Sequence, residues 1–287
     1  MRTKGLTRRV SPALPFLTAA LTLALAACGF PGPATNPEAA AHLHRAVLNE
    51  PSRGYSISYL KEGDPEGQRV LFVHGTPGDA AGWADYLMDV PEGFEYVAAD
   101  RPGFGESGPD DAVPSIEEQA AALLPLLEMR KAGKTILVGH SLGGPIIARL
   151  AADYPEKIAG LVILAGSLDP SLEEIHWVQY VGDMPPVSWL LPRMLRNANR
   201  ELIPLQDSLL ALQKVLPDVT APVVIVHSRD DELVPFANVD YMERAFTRAA
   251  IVDVVALDGR NHFLPWNSRE TVDAAILRVQ ELSADPP

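Results

Sequence analysis

The sequence predicts an α/β fold: a mostly parallel, doubly wound sheet with a short helical insertion. Three observations carry this reading. Short apolar runs of strand length recur along the 287-residue chain and alternate with segments of helical periodicity, the pattern of βαβ units. Several runs are apolar throughout and end at glycine, as in "RVLFVHG" (69–75), which suits strands buried on both faces. One long stretch, 167–218, is rich in Trp, Pro, Leu and Met and has no strand pattern. Connections usually take about 2–6 residues, so this stretch reads as a helical insertion over the sheet's edge.

The first element is a leader. "MRTKGLTRRV" carries four positive charges and no acidic residue, and the apolar run "ALPFLTAALTLALAACG" follows it. A basic stretch, an apolar stretch and then small residues read as a secretory signal over 1–27. The chain's single cysteine, Cys28, follows Leu25-Ala26-Ala27. That context resembles the lipobox of bacterial lipoproteins, which implies a lipid on Cys28, a tether over 28–53 and residence in the bacterial cell envelope. Cleavage before Cys28 would move the formal charge from −13 to −17. So acidic a body repels nucleic acid and anionic membrane surfaces, leaving the lipid as the expected hold on a membrane.

The core is expected over 54–166 and 219–287. "YSISYL" (55–60) alternates with period two and predicts an early antiparallel strand. Buried strands follow in "RVLFVHG", "FEYVAADRPG", "KTILVGH", "IAGLVILAG", "APVVIVHS" and "AAIVDVVALDG". "SIEEQAAALLPLLEMR" opens with Ser115 as N-cap and Glu118 three residues on. "LGGPIIARLAADYP" is the helix after "KTILVGH", closed near Pro155. In sheets of this kind, ligands bind at the carboxyl ends of the strands.

The chemistry concentrates at those ends. "GHSLG" (139–143) fits Gly-x-Ser-x-Gly, falls between a strand and a helix, and places Ser141 where a sharp turn would lift its Oγ clear of the backbone. The helix N-terminus behind it favours a developing anion. A serine hydroxyl needs a base, and the base needs an orienting acid. Of seven histidines, only His262, in "GRNHFLPW", follows a core strand after all candidate acids. His140, beside Ser141, is expected to pack or bond locally. The acid is Asp230 or Asp231, in "HSRDDELVP". "HGTPG" (74–78) is expected to aim the Thr76 amide at the substrate oxyanion, with the Leu142 amide as second donor. Trp177, Trp189 and Met194, in the insertion, are candidates for an apolar substrate pocket. No metal-ligand spacing appears, and no cofactor is expected.

Together, "HGTPG", "DRPGFGESG", "GHSLGG", "HSRDDELVP" and "GRNHFLPW" resemble the α/β-hydrolase fold family over roughly residues 54–282. In that family the acid stands four residues before the proline of "D-x-x-V-P", which implies Asp231, and a helical cap occupies the place of 167–218. Two departures matter. The acid motif opens His227-Ser228 where His-Gly is usual, and Ser141 stands where relatives that open epoxides or dehalogenate alkanes carry Asp. The resemblance implies a cofactor-free serine hydrolase acting on an ester of a small, partly hydrophobic molecule. Amide, thioester or lactone hydrolysis, or perhydrolysis, would use the same triad. A non-catalytic surface lipoprotein that binds a ligand is the alternative from another class.

Overall fold

The protein is described as a computed structural model covering residues 37–50, 54–129 and 133–284. The expected signal over 1–27, Cys28 and residues 29–36 lie outside the described residues. The strands are β1 His44–Glu50, β2 Tyr55–Gly63, β3 Gln68–Val73, β4 Phe94–Ala99, β5 Thr135–His140, β6 Ile158–Leu164, β7 Val223–Ser228 and β8 Val252–Leu257. The α-helices are α1 Pro37–His42, α2 Ala84–Met88, α3 Ile116–Glu128, α4 Gly143–Asp153, α5 Trp177–Asp183, α6 Val187–Leu190, α7 Arg193–Leu202, α8 Leu205–Gln213, α9 Ala237–Ala245, α10 Leu264–Asn267 and α11 Arg269–Ala284.

The eight strands form one sheet in the order β1-β2-β4-β3-β5-β6-β7-β8. β1 and β2 run antiparallel, as does β2 on β4; every later pairing is parallel. From β3 the chain first steps to β4 on one side and then returns to place β5 on the other. The carboxyl ends of β3 and β5 therefore flank the point where the strand order reverses, where open α/β sheets leave a crevice.

Alternation along each central strand feeds two cores. Leu71, Val73, Leu137 and Ile163 face a layer with Leu123 and Leu126 of α3 and Ile146 and Leu150 of α4. Val70, Phe72, Val138 and Val162 face the opposite layer with Trp83, Tyr86 of α2, and Val272, Ile276 and Val279 of α11. Burial on both faces removes the period-two signal, so these strands read as continuous apolar runs. Ser115 caps α3 as its sequence suggests, accepting the Glu118 amide at 3.2 Å.

The tether boundary needs correction. Residues 44–50 are not tether but an edge strand, paired from His44↔Lys61 to Glu50↔Tyr55. "HRAVLNE" escaped notice because an edge strand has no need of a continuous apolar run. The stretch 167–218 contains only helical segments and loops. Its later part is welded to the core: Leu205, Leu209, Leu212 and Leu216 join the layer of α3 and α4.

Candidate active site

Ser141 follows β5 directly and has φ 53°, in the left-handed region that non-glycine residues avoid. The strain is accommodated because its neighbours are glycines held in close backbone contact. A Cβ on Gly139 would lie 2.5 Å from the Gly143 carbonyl oxygen, and one on Gly143 would lie 2.3 Å from that of Val73. The Ser141 amide is fixed to the carbonyl of Leu164 at 2.9 Å. The turn is thus set by the backbones of β3, β5 and β6.

The candidate base and acid come from the loops after β8 and β7. His262 Nδ1 and Asp231 Oδ2 are 2.8 Å apart, and Asp231 Oδ1 accepts the amides of Leu233 and Val234, each at 2.9 Å. This explains the Asp-x-x-Val-Pro spacing: one carboxylate oxygen needs two consecutive free N–H groups, and Pro235 follows once they are used. A carboxylate only accepts, so His262 carries its proton on Nδ1 and leaves Nε2 as the basic lone pair. Burial would raise the Asp231 pKa, but the His262 hydrogen bond and charge and the two amides outweigh it and hold the carboxyl below its usual range. Asp230 turns elsewhere, accepting the Gly259 amide at 2.6 Å.

Ser228, which departs from the usual glycine, is buried and donates to the Arg260 carbonyl at 2.6 Å while accepting the Asp230 amide at 3.2 Å. It therefore stitches the acid loop to the loop bearing His262. No hydrogen bond joins Ser141 Oγ to His262 among the described residues; such bonds are often loose before substrate arrives.

Three other histidines frame the site, each with a ring nitrogen bonded to a backbone carbonyl. His140 is not confined to local bonds. Its Nε2 donates to the carbonyl of His262 at 2.9 Å, and the two rings lie 4.8 Å apart. Burial, reinforced by His262, depresses its pKa to about 3, so it is neutral. His140 thus ties the elbow to the base across 122 residues, a link with no sequence signal. His227, depressed by burial, donates Nε2 to the Val234 carbonyl at 3.0 Å. His74, depressed by burial and by Arg101, donates Nδ1 to the Gly75 carbonyl at 2.7 Å and accepts the Arg101 amide on Nε2 at 3.0 Å.

The oxyanion loop is held from below by Arg101, whose Nη2 donates to the Gly75 carbonyl at 2.9 Å. Its guanidinium is fully buried and paired with Glu201 of α7 at 2.8 Å, and Gln119 of α3 bonds both partners. The Thr76 and Leu142 amides make no hydrogen bond to the protein among the described residues, and Thr76 Oγ1 is buried without a partner. Sequence reasoning missed Arg101 and Glu201, whose pairing spans 100 positions.

A cavity of about 370 Å³ opens beside the oxyanion loop, lined by Arg45, Asp79, Asp100, Phe104, Arg193 and Met194, among others. No member of the Ser–His–Asp set lines it. Of the pocket candidates, Met194 lines this cavity. Trp177 and Trp189 do not: they are 68% and 75% exposed. Asp79 is raised by burial and by neighbouring Asp100, which is itself paired with Arg45 at 2.6 Å. Among the described residues no group of three or more His, Cys, Asp or Glu side chains could hold a metal ion.

Residues 68–189 match the family described as alpha/beta hydrolase fold. Over 112 residues the chain is 30% identical to the dihydrolipoyllysine-residue acetyltransferase component of the acetoin cleaving system of Cupriavidus necator, covering 39% of this chain and only 30% of that protein. Over 251 residues it is 23% identical to a 2-hydroxy-6-oxononadienedioate/2-hydroxy-6-oxononatrienedioate hydrolase of Burkholderia vietnamiensis, covering 73% of this chain and 86% of the relative. A putative aryl esterase from Burkholderia cenocepacia superposes with a TM-score of 0.65 at 22% identity, over 84% of this chain and 99% of that one. At that identity the likeness is one of fold.

Proposed function

We propose that this protein, an enzyme of the α/β-hydrolase fold, is a serine hydrolase that cleaves an ester of a small, partly hydrophobic molecule through an acyl-enzyme. The observation that carries this reading is the Asp231–His262 pair at 2.8 Å, set on the same sheet rim as a serine in a left-handed turn. Ser141 Oγ attacks the ester carbonyl while His262 Nε2 takes its proton. Asp231 holds the tautomer and stabilises the imidazolium. The oxyanion would rest on the Thr76 and Leu142 amides, two donors for which no protein acceptor is found among the described residues. The carbon–oxygen bond then breaks, and the leaving alcohol takes the proton from His262. Water repeats the cycle on the acyl-enzyme, returning Ser141 and releasing the acid.

A second reading has one observation in its favour, the similarity to the hydrolase whose name gives a dioate substrate. A dianion needs free cations. The arginines bordering the cavity are committed instead: Arg45 to Asp100 and Glu106, Arg193 to Asp110. A neutral ester suits this acidic chain better. The non-catalytic alternative loses ground because it gives no reason for a strained serine beside an oriented histidine.

The test is covalent. A fluorophosphonate should modify Ser141, read by mass spectrometry, and the modification should vanish in His262→Ala. A folded protein that resists the reagent would overturn the reading. A parallel proposal concerns location, resting on the lipobox-like context of Cys28: the chain is exported and held in the cell envelope by an acyl anchor. Cys28→Ser should abolish incorporation of labelled fatty acid and shift the protein from the membrane to the soluble fraction.

A further inference from the structure

Helix α5 is amphipathic in reverse. Trp177, Tyr180 and Val181 follow the i, i+3, i+4 spacing of one helical face, and Met184 follows directly after the helix as its extended C-cap. All four are exposed. The opposite side meets α7 through polar groups: Asn199 Nδ2 donates to the Gln179 carbonyl at 2.8 Å, and Arg200 Nε donates to Asp183 at 2.6 Å. A surface helix ordinarily turns its apolar stripe to the core; this one turns it to water. The next short helix, α6, extends the apolar surface with Trp189 and Leu190, at 75% and 82% exposure. Most of the large apolar side chains exposed among the described residues fall between 175 and 194. Singly exposed hydrophobes need no explanation, but a concentrated set does.

We propose that this face, α5 with α6, docks onto the surface of a zwitterionic phospholipid bilayer. Three observations select lipid as the occupant. The face is built from Trp, Tyr, Leu and Met, and the amphipathic rings of Trp and Tyr suit the boundary between headgroups and acyl chains. No described helix is long and apolar enough to cross a membrane, so the contact lies on the surface. The face is also continuous with the cavity beside the candidate oxyanion loop. Met194 borders both the apolar stretch and the cavity of about 370 Å³, whose Phe104 packs its ring 5.6 Å from that of His74 at the oxyanion loop. Arg45 of β1 lines the same cavity. Only eight residues separate Cys28 from Pro37, a reach of about 30 Å when fully extended. A second copy of the chain is disfavoured as occupant by the formal charge of −13, and the same charge selects zwitterionic over anionic lipid.

The proposal goes beyond the hydrolase reading and fails independently of it. It draws on the acyl anchor only for the tether argument. The full chain would be incorporated into phosphatidylcholine vesicles, with and without acyl chains brominated near the headgroup, and its tryptophan emission recorded. Four tryptophans report: Trp83 is buried, Trp266 is partly buried, and Trp177 and Trp189 lie on the proposed face. Brominated lipid should quench at least half of the emission that Trp177 and Trp189 contribute. The double variant Trp177→Phe, Trp189→Phe should show less than one fifth of that quenching while keeping its reactivity toward fluorophosphonate. Leu190→Glu should weaken the quenching of the native tryptophans at least threefold. Protein found with the vesicles but unquenched, or absent from them, would overturn the proposal. So would a stable dimer in lipid-free solution that shields Trp177 and Trp189 from acrylamide.

Discussion

Ser141 holds its left-handed conformation at a cost. A non-glycine residue in the left-handed region costs on the order of 1–3 kcal/mol, and the close approach of Gly139 and Gly143 to neighbouring backbone supports that conformation. Gly143→Ala should therefore do more than remove flexibility. Its Cβ would meet the Val73 carbonyl oxygen at 2.3 Å, so either β3 or the elbow must move. The expected result is a loss of stability of about 1–3 kcal/mol and loss of fluorophosphonate labelling, measured by urea unfolding and mass spectrometry. The acid can be tested as sharply. Asp231→Asn keeps the shape but no longer fixes the His262 tautomer, and kcat should fall by about 10⁴-fold. Asp230→Asn touches only the Gly259 amide and should leave kcat within tenfold; the opposite ranking would reassign the acid. At this scale the sequence was legible wherever geometry restricts residue choice, as at the glycines of the elbow. It was not legible between Asp230 and Asp231, where two identical side chains adjoin and only the resemblance distinguished them. His140 packs as expected, but its bond was not legible, because nothing in a sequence marks a carbonyl 122 residues away as its partner.

The elements show the same division. Strands β3 to β7 are central in the sheet and announce themselves as apolar runs, since both their faces are covered. β1 lies at the edge, and its mixed "HRAVLNE" looks like linker. The insertion was legible as an interruption, but not the way it is joined to the core. The polar part of that junction is the buried Arg101–Glu201 pair, with α7 on one side and the loop after β4 on the other. Such a pair is weak evidence of net stability, yet breaking it leaves a buried charge uncompensated. Glu201→Gln should cost about 3–5 kcal/mol by denaturant unfolding. Because Arg101 also holds the Gly75 carbonyl one residue before the Thr76 amide, kcat should fall more than KM rises. Equal effects on both would mean that Arg101 ties down the insertion without positioning the oxyanion loop.

For the whole molecule, the buried neutral histidines set the response to acid. His74, His140 and His227 are all depressed, chiefly by burial, and His140 reaches about 3. In the unfolded chain each returns to about 6.5. Below that pH the unfolded state binds protons that the native state refuses, so stability must decline as pH falls. Each such histidine contributes a slope of ~1.4 kcal/mol per pH unit between its two pKa values. Asp231 acts in a second, lower window. Its native pKa is depressed, so its contribution is present above the unfolded value of about 3.9 and is lost as pH falls through the native value. Native domains hold only about 5–15 kcal/mol of stability. The three depressed histidines should therefore draw on that margin as pH falls below about 6.5. Urea midpoints measured at half-unit steps from pH 7 to 4 should drop continuously from about 6.5. His227→Gln removes one of the three depressed groups and should flatten that slope, even if it lowers stability at pH 7. An unchanged slope would mean that the acid response belongs to the carboxylates instead.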